Sequence, residues 1–344
     1  MPARPRILSG VQPSGKLHLG NYFGAIRQHI SLQDAGEAFY FIADYHALTT
    51  LTEAEAKAGR PAAEVLAENV RDVALDYLAL GLDPARATFY RQSDVPEVCE
   101  LAWILSTVTG MGLLERAHSY KDKIARGLGA TVGLFTYPVL MAADILIVRS
   151  ALVPVGEDQV QHLEMTADMA GYFNRAYAEV FPVPAHQIHR AAGRVPGTDG
   201  QKMSKSYGNT IDIFAEGKAL KSAVMGIVTD STPLDAPKDP DGCTVFALYR
   251  LFATEAEQAE LAALYRDPLR NTAARAGRPF GYGDAKTLLL GQINAHFGPA
   301  RERRKALAAD GSGVEAVLRA GAERARAEAR ATMALVRRAV GLGV

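Results

Sequence analysis

The chain has 344 residues and 48% hydrophobic content, enough to bury a large core and long enough for two domains. Lysine plus arginine and aspartate plus glutamate each total 38, so no global field draws the chain to nucleic acid or membrane, and any polyanion site must be a local patch. Two cysteines, Cys99 and Cys243, lie far apart with no Cys/His cluster, which argues against a disulfide scaffold or a metal site and predicts a reducing, cytoplasmic setting. No apolar run approaches the ~20 residues of a membrane span, and the start at Met1 to Arg6 leaves no room for an apolar signal region.

Up to roughly Pro182, strand-like runs alternate with helical periodicity, the pattern of a parallel sheet covered on both faces. Arg6 to Val11 reads as the first strand. Phe39 to Asp44 is the second, nearly all apolar as a strand buried on both faces should be. A helix is expected from about Glu53 to Leu80, interrupted where Gly59-Arg60-Pro61 breaks the backbone pattern. Ala87 to Tyr90 is the third strand, Val95 to Ile124 is helical, Leu134 to Val148 is a strongly apolar helix, and Leu152 to Val155 is a fourth strand ending at Gly156. After Pro182-Val183-Pro184 the texture changes and nearly everything predicted is helical. The predicted organisation is α/β, a Rossmann-like doubly wound domain over residues 1–190 followed by a C-terminal helical domain over residues 191–344. Its last helix, Gly313 to Val340, carries Val314, Val317, Leu318, Gly321, Ala325, Met333 and Val336 on one stripe, with Gly341 as its cap. Between Arg301 and Arg338 ten basic residues stand against five acidic ones, read equally as a solvated face or as a contact to RNA phosphates.

The first strand runs through Ser9-Gly10-Val11-Gln12-Pro13-Ser14-Gly15-Lys16-Leu17-His18-Leu19-Gly20-Asn21-Tyr22 into a helix, so unpaired backbone N–H groups and a positive helix end converge there. That is a place for phosphate. Leu17 after Gly15-Lys16 excludes the Walker loop, and the spacing of Gly10, Gly15 and Gly20 excludes the dinucleotide fingerprint. Gly20 allows a nucleotide to lie against bare backbone, while His18 and Asn21 offer donors. Gly156 makes a second strand-to-helix corner, and in an open α/β sheet such corners meet at the carboxyl ends of the strands. Lys202-Met203-Ser204-Lys205-Ser206, between Gly200-Gln201 and Gly208-Asn209, carries two ammonium groups on a loop with hinge-like ends, suited to charge developing on phosphate. Tyr137, Met141 and Asp144 share one helix face. In so apolar a stretch Asp144 must cap, pair structurally or accept a hydrogen bond from a ligand. His46 reads equally as a structural histidine, and Glu157 and Asp158 as acids placed at a helix start.

His18-Leu19-Gly20-Asn21 resembles the HIGH signature of class I aminoacyl-tRNA synthetases, and Lys202 to Ser206 reads as their KMSKS signature without a mismatch. Gly10-Val11-Gln12-Pro13-Ser14-Gly15 and Gly156-Glu157-Asp158-Gln159 narrow the resemblance, over nearly the whole chain, to the tryptophanyl branch. The resemblance implies ligation of tryptophan to tRNA(Trp), with ATP and Mg2+ as substrate complex, no bound organic cofactor, no membrane and a homodimer. It assigns catalysis to His18, Asn21, Lys202 and Lys205, with Lys123 as a further cation. To ATP it gives Gln12, Pro13, Ser14, Gly20, Asn21, Gly156, Glu157, Asp158, Val195, Lys202, Met203, Ser204, Lys205 and Ser206. Tryptophan falls to Gln12, Ala43, His46, Tyr137, Met141, Asp144, Val153, Val155 and Gln159. An indole N–H is a donor only, so Asp144 suits the floor of such a pocket and Met141 a soft wall. Tyrosyl enzymes resemble this helix but carry glutamine where Met141 stands. Two features depart from the family pattern: Asn21 replaces the final His of the first signature, and Thr52 to Val65 is a longer connection. The alternatives are a tyrosine–tRNA ligase of the same fold and a paralogue that binds tryptophan or RNA for regulation without charging.

Overall fold

Five parallel strands, β1 (Arg6–Val11), β2 (Glu37–Ile42), β3 (Ala87–Arg91), β4 (Leu152–Val155) and β5 (Ala185–Ile188), lie in the order β3-β2-β1-β4-β5. The computed structural model describes residues 4–49, 59–117, 120–121, 131–156, 159–183, 185–188 and 195–343. Chain order reverses direction between β1 and β4, the switch point at which doubly wound sheets open a crevice. Every residue of β2 after Glu37 is buried, so its apolar run reports cover on both faces. Around the sheet lie α1 (Ala62–Leu80), α2 (Glu97–Ser106), α3 (Val132–Ile147) and α4 (Val160–Ala176). The remaining long helices are α5 (Gly217–Met225), α6 (Glu255–Arg266), α7 (Tyr282–Ala309) and α8 (Gly313–Val340).

Several elements depart from the sequence-based expectation. β2 begins two residues earlier and ends at Ile42, and β5 is a strand the sequence did not announce. The described part of the helix expected from Glu53 begins at Ala62; residues 53–58 lie outside the described residues. The stretch from Val95 divides into α2 and a single turn, Met111–Leu114, because Gly110 adopts an extended backbone between them.

Contacts divide the chain into two compact units, residues 1–15, 28–190 and 307–344 in the first and residues 16–27 and 191–306 in the second. A single cut at 190 does not reproduce this division. Backbone bonds from the Leu19 N–H to the Ile211 carbonyl (3.0 Å) and from the Ile213 N–H to the Leu17 carbonyl (3.2 Å) join residues 16–27 to the second unit. α8 belongs to the first unit, where its small-residue stripe lies on β3 so closely that a Cβ on Gly321 would stand 1.8 Å from the Phe89 carbonyl oxygen.

The basic excess of α8 is largely spent within that unit. Arg324 donates to the Pro84 and Ala87 carbonyls at 2.9 and 3.1 Å, Arg326 and Arg330 pair with Glu97 at 2.9 and 3.2 Å, and Arg337 pairs with Glu100. Ion pairs to Glu97 and Glu100 of α2 account for three of these arginines and backbone carbonyls for Arg324, so none of the four forms part of an open basic face. Gly321→Ala is expected to cost about 1–3 kcal/mol through overpacking, read as a lowered urea midpoint; an unchanged midpoint would mean that α8 does not sit on the β3 backbone.

Candidate functional site

In the second unit the chain turns at His18, which is extended (φ −121°, ψ 170°), before the helical residues Leu19–Asn21 begin. The His18 carbonyl accepts the N–H groups of Asn21 (2.9 Å) and Tyr22 (3.1 Å), and the Asn21 side-chain oxygen accepts the His18 N–H at 3.1 Å. Asn21 therefore closes its own turn with its carbonyl, which a histidine at this position could not do in the same way. The His18 ring is 7% exposed, and its Nδ1 has no hydrogen-bond partner among the described residues. Burial first, and the nearby Lys205 ammonium second, lower its pKa to about 4. The ring is thus neutral at neutral pH.

The lysine-bearing loop is anchored by its apolar residue. Met203 is 4% exposed, its N–H donates to the Val195 carbonyl at 3.0 Å, and its sulfur accepts the Gly20 N–H at 3.4 Å. A Cβ on Gly20 would stand 3.0 Å from the His18 ring and 3.4 Å from the Met203 Cβ, so a bare backbone is what lets the two motifs touch. Lys202 and Lys205 remain exposed. Asn209, 3% exposed, clasps the loop: its side-chain oxygen accepts the Ser204 N–H at 2.8 Å while its amide donates to the Lys202 carbonyl at 3.1 Å and to Asp199 at 2.7 Å. Gly208 before it takes the left-handed conformation (φ +64°) that the turn requires. The sequence marked Gly208 and Asn209 as a hinge; the asparagine works as a clasp.

The expected tryptophan residues lie in the first unit, as do Gln12, Pro13, Ser14 and Gly156. Gln12 and Ser14 are exposed, Pro13 is buried, and the Ser14 N–H donates to the Gln12 carbonyl at 2.9 Å. Asp144, on α3, is 3% exposed and receives three hydrogen bonds. His46 Nε2 donates to Oδ2 at 2.9 Å, and the Gln92 amide donates to Oδ1 at 2.8 Å and to Oδ2 at 2.9 Å. Burial raises the Asp144 pKa, and the bonds from His46 and Gln92 oppose that shift without cancelling it. His46 and Tyr137 meet edge to face with ring centres 6.3 Å apart, and the Tyr137 hydroxyl is hydrogen-bonded to His162. Met141, Val155 and Gln159 are half-buried, whereas Ala43 and Val153 are buried.

Gln92 and His162 are residues that the sequence did not single out, and the buried clasp of Asn209 went beyond the hinge it marked there. Lys123, Glu157 and Asp158, which it did single out, lie outside the described residues. Among the described residues no group of three or more His, Cys, Asp or Glu side chains is gathered to hold a metal ion, and no helix is long and apolar enough to cross a membrane.

Residues 2–298 match the family model of class I tRNA synthetases (W and Y). The chain is 52% identical to the tryptophan–tRNA ligase of Rhodopirellula baltica, over 98% of this chain and 99% of that one, and 53% identical to the ligase of Fusobacterium nucleatum, over 98% of each. It also superposes on the crystal structure of tryptophanyl-tRNA synthetase from Campylobacter jejuni complexed with ADP and tryptophan, with a TM-score of 0.88 and 46% identity over 98% of this chain and 100% of that one.

The buried ring of His18 makes a pH prediction. An unfolded chain takes up this proton as the pH falls through 6.5, whereas the folded one resists until about 4, so His18 contributes a loss of stability as the pH falls across that window. Histidine NMR is expected to show the His18 imidazole titrating near 4; a midpoint near 6.5 would contradict its burial beside Lys205.

Proposed function

This chain belongs to the family of class I tRNA synthetases for tryptophan and tyrosine, and from that membership we infer that it is a tryptophan–tRNA ligase. It activates L-tryptophan with ATP to tryptophanyl-adenylate and pyrophosphate, then transfers the amino acid to tRNA(Trp). The observation that carries the adenylation step is the packing of Gly20 on Met203, which joins the His18 turn to the lysine loop within one unit. The choice of tryptophan over tyrosine rests on near full-length identity to tryptophan–tRNA ligases, with Met141 in place of the glutamine of tyrosyl enzymes in support.

In this reading the tryptophan carboxylate attacks the α-phosphate of ATP in line, and the protein positions and neutralises without forming a covalent bond. Lys202 and Lys205 neutralise the departing pyrophosphate, and neutral His18 hydrogen-bonds the phosphates without adding charge. Gln12 to Ser14, Gly156, Glu157, Asp158 and Val195 complete the ATP set, with Lys123 as a further cation. Asp144 accepts the indole N–H beside Met141 and Tyr137, and His46, Ala43, Val153, Val155 and Gln159 complete the tryptophan set. Mg2+ enters with ATP. Residues 1–190 and the lysine loop serve adenylation, and the helical remainder of 191–344 serves tRNA.

A homodimer is part of the same proposal, supported by large apolar side chains left exposed on the first unit, among them Trp103 (73%), Met111 (62%) and Val132 (79%). A cytoplasmic location is supported by the free thiols Cys99 and Cys243.

ATP–pyrophosphate exchange is expected with tryptophan and not with tyrosine, followed by charging of tRNA(Trp); exchange driven by tyrosine, or adenylate formation without charging, would overturn the reading. Lys205→Ala should lower kcat more than it raises the KM for ATP, because the lysine acts on charge that develops in the transition state. Equal activity in the variant would remove that role.

A further inference from the structure

The C-terminal ends of β2 and β3 are tied together around one buried amide. Gln92, 1% exposed, follows β3 directly, and its Oε1 accepts the Tyr45 N–H at 3.2 Å while its Nε2 donates to both oxygens of Asp144. A donor at one end and a carboxylate at the other leave the amide only one orientation. Beside it, Asp44 accepts the N–H groups of Tyr45 and Ser93 at 3.0 Å each and the Ser93 hydroxyl, so the backbone that braces Gln92 is itself latched. This polar hardware holds the two strand ends beside Asp144.

The count of acceptor sites gives that hardware a purpose. A carboxylate offers about four lone-pair sites. On Oδ2 of Asp144 two are taken, by His46 and Gln92, whereas Oδ1 receives Gln92 alone among the described residues. His46 by itself would leave the carboxylate free to turn about its last torsion; the second grip, across both oxygens, fixes the plane. What remains is one acceptor site in a fixed direction, suited to one N–H.

We propose that Gln92 is a positioning residue for amino-acid selection, holding the Asp144 carboxylate so that a single Oδ1 site meets the indole N–H of the substrate. This rests on the tryptophan reading above. Gln92 touches Asp144 and not the reacting atoms, so its effect is on the choice of substrate and is transmitted through the carboxylate.

The test compares tryptophan with benzothienylalanine, in which sulfur replaces the ring N–H, by ATP–pyrophosphate exchange. Gln92→Met keeps the length and removes the donors. It is expected to lower kcat/KM for tryptophan by about tenfold, the scale of a lost hydrogen bond to a charged group, while the value for the analogue changes less than about twofold. Gln92→Asn, which keeps the amide but withdraws it by a methylene, is expected to lose the same preference. In an Asp144→Asn background Gln92→Met should change the preference no further, since the two act as a unit. Equal losses for both substrates, or additive loss of preference in the double variant, would overturn the role of Gln92. Wild-type exchange with tyrosine in place of tryptophan would strike the tryptophan reading instead, so the two failures are told apart before any variant is made.

Discussion

The contact between Gly20 and Met203 is the constraint on which the second unit's chemistry depends. Two lysines cannot be held against phosphate by their own ammonium groups, which are hydrated and mobile on long stems. The loop that carries them is instead fixed by what lies between them. Met203 is buried, its backbone is bonded to Val195 and its sulfur to the Gly20 N–H, so Lys202 and Lys205 flank an apolar anchor seated on the His18 turn. The same closeness buries His18 and, with Lys205 nearby, keeps its ring neutral. Anchoring, burial and protonation state thus follow from one missing side chain.

In the first unit the governing problem is a carboxylate in an apolar helix. Asp144 cannot be buried alone, because an unpaired charge in such surroundings is strongly disfavoured. Its partners come from the two strand ends that the parallel sheet brings beside α3, His46 after β2 and Gln92 after β3. A doubly wound sheet collects its strand ends at one side, so residues 52 and 98 positions apart from Asp144 along the chain reach it without long loops. The fold makes the acceptor affordable and directional at once.

Periodicity made much of this legible. β1, β4 and α8 lie where the apolar patterns put them, and Gly341 caps α8 with the expected left-handed backbone (φ 77°). β5 was hidden because Ala185–Ile188 is a four-residue strand just after a proline pair, too brief for alternation to show. Gln92 gave no signal, since a glutamine after a strand reads as the start of a turn until its partner is known. The clasp of Asn209 was half visible: Gly208-Asn209 announces a turn, but not that the amide is buried within it. The arginines of α8 carried the more instructive ambiguity. A basic excess in sequence says nothing of partners, and Glu97 and Glu100 lie more than two hundred residues upstream. The interleaving of the units has the same origin, because the bonds of Leu17 and Leu19 to Ile213 and Ile211 are tertiary and leave no local trace.

Gly20→Ala tests the central contact most directly. The added methyl must push against the His18 ring and Met203, where the spaces are 3.0 and 3.4 Å. Tryptophan-dependent pyrophosphate exchange is predicted to slow by roughly ten- to a hundredfold, the scale of a small misplacement of groups that act on the transition state, with the melting temperature nearly unchanged. Exchange at the wild-type rate would show that the lysine loop does its work without resting on the His18 turn.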